Sequence, residues 1–218
     1  MKRDQSYIRY LTFLAAFGAL AYLSTFIKIK MFFFLSYEPK DVILTIGGMI
    51  FGPIFAILLS VLVPFFEMIT VSSTGAIGFV MNVIAAICFV LPPVIAYSRK
   101  KNAKNLIVGL IIGIIMQTIS MLLWNYLLSP IFFGYTRASV VKMLVPIILP
   151  FNLIKGGLNS LFTVILYRPV VEALMKGNVL RTTDFKMINH EEKWTAFAVI
   201  FLVIATVALL FMSYFKLI

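Results

Sequence analysis

The run VILTIGGMIFGPIFAILLSVLVPFF, residues 42–66, is apolar for longer than one untilted bilayer crossing of about 20 residues needs, and Gly52-Pro53 falls near its middle. Two readings stand side by side. In one, a single tilted helix runs through the dipeptide. In the other, a short helix ends in a tight turn at Phe51-Gly52-Pro53 and a second helix continues to about Thr70. Loop charge does not choose between them. With the break and the N-terminus inside, or with no break and the N-terminus outside, the inner side collects twelve Lys/Arg against six.

The surrounding composition sets the class. Of 218 residues, 62% are hydrophobic and 12% charged, with a mean hydropathy of +1.05, so the chain reads as an all-α integral membrane protein. The formal charge of +11 does not point to nucleic acid, because the basic residues sit in short clusters between apolar runs and read as topogenic loop charges beside the lipid bilayer. A single cysteine, Cys88, excludes an internal disulfide and a cysteine metal cluster, and His190 is the only histidine. No Walker A, H-E-x-x-H or G-x-S-x-G motif occurs, so the chain has no catalytic or metal-ligating residues to nominate and is expected not to be an enzyme.

Outward from the central run, Tyr10–Ile27 reads as the first span and carries Ala15 and Ala19. An Ala-x-x-x-Ala face admits close approach of another helix, either a partner's or one of the chain's own. Lys28–Asp41 (KIKMFFFLSYEPKD) reads as an interfacial loop, either a lid over a cavity or an aromatic belt at the headgroups. Glu67–Gly78 is a polar connection, Phe79–Tyr97 a span, and Arg99–Lys104 (RKKNAK) the strongest cytoplasmic signal. Leu106–Leu128 is a span, Ser129–Pro146 a mixed loop, and Ile147–Tyr167 a further span with Pro150 starting or kinking it. The domain division expected is 1–175 as the membrane core, 176–193 as a cytoplasmic linker, and 194–218 holding one more span, Trp194–Tyr214.

One stretch inside these spans is polar. PFNLIKGGLNS (150–160) puts Asn152, Lys155 and Asn159 on one helical stripe, and a lysine there is costly unless it meets water, a partner or a ligand. Asn82, Asn125, Asn152 and Lys155 fall toward the side opposite RKKNAK, beside Trp124 and the phenylalanine-rich loop. Amides and a lysine converging beside Trp suit a flat heteroaromatic solute. The alternative is interhelical hydrogen-bonding between the amides. Asn159, deeper in the span, is read as packing, and Glu67 as a charge at an interfacial helix end.

The segments YEPKDVILTIGGMIFGP (37–53), LLWNYLLSP (122–130) and LPFNLIKGGLNS (149–160) together resemble the riboflavin-binding S component of energy-coupling factor (ECF) vitamin transporters, over roughly residues 10–175. The resemblance implies a six-helix core and a turn at Gly52-Pro53; residues 194–218, read above as one more transmembrane helix, depart from the family pattern. It implies an N-terminus in the cytoplasm, hence a C-terminus outside the cell membrane, and an outward-opening flavin pocket. It further implies substrate contacts from Asn125, Asn152 and Lys155, and by extension from Asn82, Trp124 and the lid residues Leu35, Ser36, Tyr37 and Glu38. Ala15 and Ala19 would dock on a transmembrane T component, with two cytoplasmic ATPases completing the complex. Riboflavin would be the transported substrate and not a cofactor; FMN or a related flavin, or a stand-alone carrier or scaffold role, are the alternatives.

Overall fold

The computed structural model describes residues 2–32, 35–72, 74–177, 179, 201–202 and 205–206. Helix α1 (Lys2–Ser24) leads into a hairpin of β1 (Ile29–Phe32) and β2 (Leu35–Tyr37), followed by α2 (Lys40–Phe51), α3 (Pro53–Thr70), α4 (Gly75–Arg99) and α5 (Ala103–Phe133). A short α6 (Arg137–Met143) passes through a π-helical turn at Leu144–Ile148 into α7 (Leu149–Lys176). Among the described residues, five helical stretches are long and apolar enough to cross a bilayer: in α1, α3, α4, α5 and the continuous Arg137–Lys176. The sixth helix of the core, α2, has 12 residues and reaches only about 18 Å at 1.5 Å per residue.

The break in the central run is a turn. Gly52 adopts φ 102°, a conformation that side chains rarely tolerate, and Pro53 opens α3 where its missing N–H costs nothing. Rings from three helices cover this turn. Phe13 stacks on Phe51 at 5.2 Å between centroids, and Phe17 meets both Phe51 and Phe55 edge-on. The same contacts fix the rotation of α1: Phe17 and Ala21 are buried against α2 and α3, while Ala15 and Ala19 remain exposed on the other side. Intramolecular packing therefore does not use the Ala-x-x-x-Ala face within the described residues.

Other junctions have local causes. Asn102 caps α5 by accepting from the Asn105 N–H at 2.8 Å, so the RKKNAK cluster is a tight helix-to-helix link. Pro92-Pro93 does not end α4, which runs on to Arg99, and α5 crosses it there closely enough that a side chain at Gly109 or Gly113 would meet the backbone of Pro93 or Phe89. This is the close approach that small residues permit between membrane helices.

Two expectations are corrected and one is decided. The Lys28–Asp41 segment is not an irregular loop: Ile29 pairs with Tyr37 and Lys30 with Ser36 in an antiparallel hairpin, which satisfies its backbone groups locally. Ser129–Pro146 is mostly helical, because α5 continues to Phe133 and Thr136 caps α6 from Ser139 at 3.2 Å. Of the two readings of Pro150, the first holds: it stands in the opening turn of α7, although the π-helical turn before it makes the helix continuous, so this start is not a free end. Of the expected linker and last span, residues 178, 180–200, 203–204 and 207–218 lie outside the described residues.

Candidate functional site

The site is built where the hairpin meets the start of α2. The sequence YEPKD turns there from strand to helix, and it sends two charged side chains inward at the first helical residues: Lys40 and Asp41 are 2% and 1% exposed. Charges buried this deeply must be paired and hydrogen-bonded.

Lys40 is held by two carboxylates. Its Nζ donates to both oxygens of Glu67 on α3, at 2.7 and 2.6 Å, and lies 3.2 Å from Glu38 of the hairpin. Glu38 also faces Lys28 at 3.6 Å, and Asn82 of α4 donates to Glu67 at 3.4 Å. Asp41 is held from α7: its Oδ2 lies 3.3 Å from the Lys155 Nζ and accepts from the Asn159 amide at 3.2 Å. Three cations (Lys28, Lys40, Lys155) thus face three anions (Glu38, Asp41, Glu67), and the cluster is charge-compensated.

Its hydrogen-bonding capacity is not exhausted. The second oxygen of Asp41, the Asn159 carbonyl and the Tyr37 hydroxyl are buried with no protein partner among the described residues. Burial, with the Asp41 carboxylate nearby, pushes the Tyr37 hydroxyl well above its usual range, so it stays a neutral donor. On α5, Gln117 has both amide atoms unpartnered and Thr118 its hydroxyl. Ile114 sits against Gly156 of the antiparallel α7, so Gln117, a turn further along α5, is opposite the Asn152–Lys155 turn. An interior with this many unmet polar atoms can receive a polar ligand at little desolvation cost to itself.

Of the residues nominated from sequence, the structure brings Lys155, Asn82, Tyr37 and Glu38 into or beside this cluster. Leu35 and Ser36 lie in the hairpin strand above it, both half-buried. Asn125 and Asn152 do not join it through any described hydrogen bond: each amide donates to its own helix, to Met121 and Ile148, and Asn125 also accepts from Ser129. Trp124 is half-buried on α5. Asn159 is more than packing, being a direct partner of Asp41. Glu67 does stand in the last turn of α3, as read, but it is 5% exposed and ion-paired to Lys40 and not a charge facing the interface.

Sequence reasoning passed over Lys40 and Asp41 and did not pair Glu67 with them. The available signal was the alternation of acid and base in YEPKD at the mouth of an apolar run, which gives hydrocarbon-bound charges partners close by.

Residues 9–167 match the family model of the ECF transporter substrate-specific component. The riboflavin transporter RibU of Staphylococcus aureus is 29% identical over 168 residues, covering 73% of this chain and 88% of the relative. The riboflavin transporter FmnP of Bacillus subtilis is 30% identical over 132 residues, covering 56% and 70%. A solved structure of the S component of a bacterial ECF transporter superposes with a TM-score of 0.65 at 28% identity, covering 76% of this chain and 96% of that one. Apolar spans, turn-linked short helix, lidded polar cluster and matched length agree: the chain is a multi-pass membrane protein that belongs to the family of ECF transporter substrate-specific components.

Proposed function

We propose that this chain captures riboflavin from outside the cell and hands it to an ATP-driven import complex. The observation that carries this reading is the buried, charge-compensated cluster under the hairpin, with the free oxygens of Asp41 and Asn159 and the Tyr37 hydroxyl still able to bond. A ribityl chain is a row of hydroxyls that can donate to such oxygens, and the amides of Asn125 and Asn152 with the ring of Trp124 suit the flat flavin. The two relatives named above are riboflavin transporters.

Compensation also argues for riboflavin over FMN. All three cations of the cluster already face carboxylates, so a phosphate would enter beside Asp41 and Glu67 without a free positive partner.

Orientation follows from loop charge. Lys2, Arg3, Arg9 and the Arg99–Lys104 link belong on the cytoplasmic side, which puts the hairpin outside, over the pocket mouth. The exposed Ala15 and Ala19 of α1 offer the small-residue face on which a transmembrane T component would pack, with two ATPase subunits supplying energy.

Titrating riboflavin into the purified protein is expected to give saturable quenching of flavin fluorescence at low concentration, with FMN binding more weakly. Absence of a saturable signal for riboflavin would sink the reading.

A further inference from the structure

Gly156 and Gly157 are adjacent on α7 but face different neighbours. A side chain at Gly156 would meet Ile114 of α5 at 2.9 Å, which is packing inside the core. A Cβ at Gly157 would lie 2.8 Å from the Thr206 hydroxyl and 3.9 Å from the Thr206 Cβ. Thr206 lies beyond the family match, which ends at residue 167. It sits in a helical turn, its hydroxyl donating to the Leu202 carbonyl at 2.6 Å, and it is 5% exposed, while Phe201 is 63% exposed. This segment therefore has a seated side and an outward side.

We propose that the segment carrying Phe201, Leu202 and Thr206 is a resident part of this chain's own bundle, with Thr206 seated in the notch at Gly157 of α7. The occupant is the chain's own segment and not a second copy, because Thr206 is buried within one molecule and its hydroxyl is satisfied by its own helix, leaving nothing that calls for an external partner. The notch has the form that association in lipid demands: a backbone without a side chain lets a neighbouring helix approach closely. The Leu202 bond pins the Thr206 rotamer, so a methyl group at Gly157 cannot be accommodated by swinging the hydroxyl aside without losing that bond. With the α7 side covered, the small-residue face left open is that of Ala15 and Ala19 on α1. The proposal does not depend on what the pocket binds.

The Cβ separation suits a disulfide, whose Cβ atoms lie about 3.5–4.5 Å apart. In the full chain carrying Cys88→Ser, which removes the only native thiol, Gly157→Cys with Thr206→Cys is expected to form an intramolecular bond under mild oxidation in membranes. It would be read as a cross-linked peptide by mass spectrometry of the monomer band. Gly157→Cys with Phe201→Cys serves as the unreactive control. A cross-link found only between copies, or none at all, overturns the proposal. A second measurement covers misfolding of the cysteine pair. Gly157→Ala should lower the thermal midpoint, and Thr206→Ala, which removes the obstructing hydroxyl, should recover more than half of that loss. Equal loss in both backgrounds overturns the proposal too.

Discussion

The two ends of the bundle solve opposite problems. At the hairpin end, α2, α3, α4 and α7 converge on charged side chains, and several buried polar atoms are left without protein partners. At the other end, α4 packs on α5 through glycines, Val94 fills the space over Gly48, and Tyr97 and Tyr167 close the interior with one hydroxyl–hydroxyl bond at 3.0 Å. The second arrangement is what a membrane bundle needs to hold together: close backbones and satisfied polar groups. The first is costly to keep without a use, since buried ion pairs add little net stability and unpaired polar atoms subtract from it. The proposed riboflavin site therefore falls at the hairpin end and rigidity at the other, and substitutions should separate the two.

The largest effect is expected from Glu67→Leu. It leaves the Lys40 ammonium, 2% exposed, with Glu38 as its one remaining ion-pair partner among the described residues, and removing one partner of a buried pair costs about 3–5 kcal/mol. The thermal midpoint of the detergent-solubilised protein should fall steeply. Replacing both partners, Lys40→Met with Glu67→Leu, should recover most of it, because an apolar pair carries no stranded charge. A double variant as unstable as the single one would mean that the pair itself holds the end together.

Lys155→Ala should separate binding from stability. Removing a charged hydrogen-bond donor from the pocket is expected to weaken riboflavin binding by about 1–3 kcal/mol, or roughly 5- to 150-fold in Kd. Stability should fall as well, because the buried Asp41 carboxylate keeps only its neutral bond from Asn159; adding Asp41→Asn should restore the thermal midpoint without restoring the Kd. An unchanged Kd would make Lys155 a structural counter-ion to Asp41 and move the pocket elsewhere.

Gly109→Ala is the converse test at the other end. Its new methyl would press on the backbone of Pro93, and overpacking of this kind costs about 1–3 kcal/mol. Thermal stability should drop while riboflavin Kd stays within error; a shifted Kd would mean that the two ends are mechanically coupled.

How far the sequence reveals this division depends on whether the deciding contacts are local. The Gly52-Pro53 break is legible as one of two readings, because a glycine free to take positive φ and a proline suited to a helix start act within two residues, but only the family resemblance set it above a single tilted helix. The stripe of Asn152, Lys155 and Asn159 is legible because helical period puts the three together before any partner is known. What answers them is not legible: Asp41 lies 118 residues from Asn159, and Lys40 lies 27 from Glu67. Such distant pairings are set by how α2 leans on α3 and α7. The helical continuation through 137–149 was hidden differently, by two prolines that read as breaks but sit in and just after a π-helical turn.

The smallest effect is expected where a polar contact is already met. Tyr167→Phe deletes one hydroxyl from the Tyr97–Tyr167 contact and keeps both rings, which meet edge-on at 5.4 Å. The cost is the net worth of one neutral hydrogen bond, about 0.5–1.5 kcal/mol. Riboflavin binding should be unchanged, because the pair joins α4 to α7 more than two helical turns past Asn159 along α7, on the side away from the hairpin. If Tyr167→Phe instead weakened binding as much as Lys155→Ala does, the polar groups of both ends would belong to one site, and the contrast between a binding end and a packing end would fail.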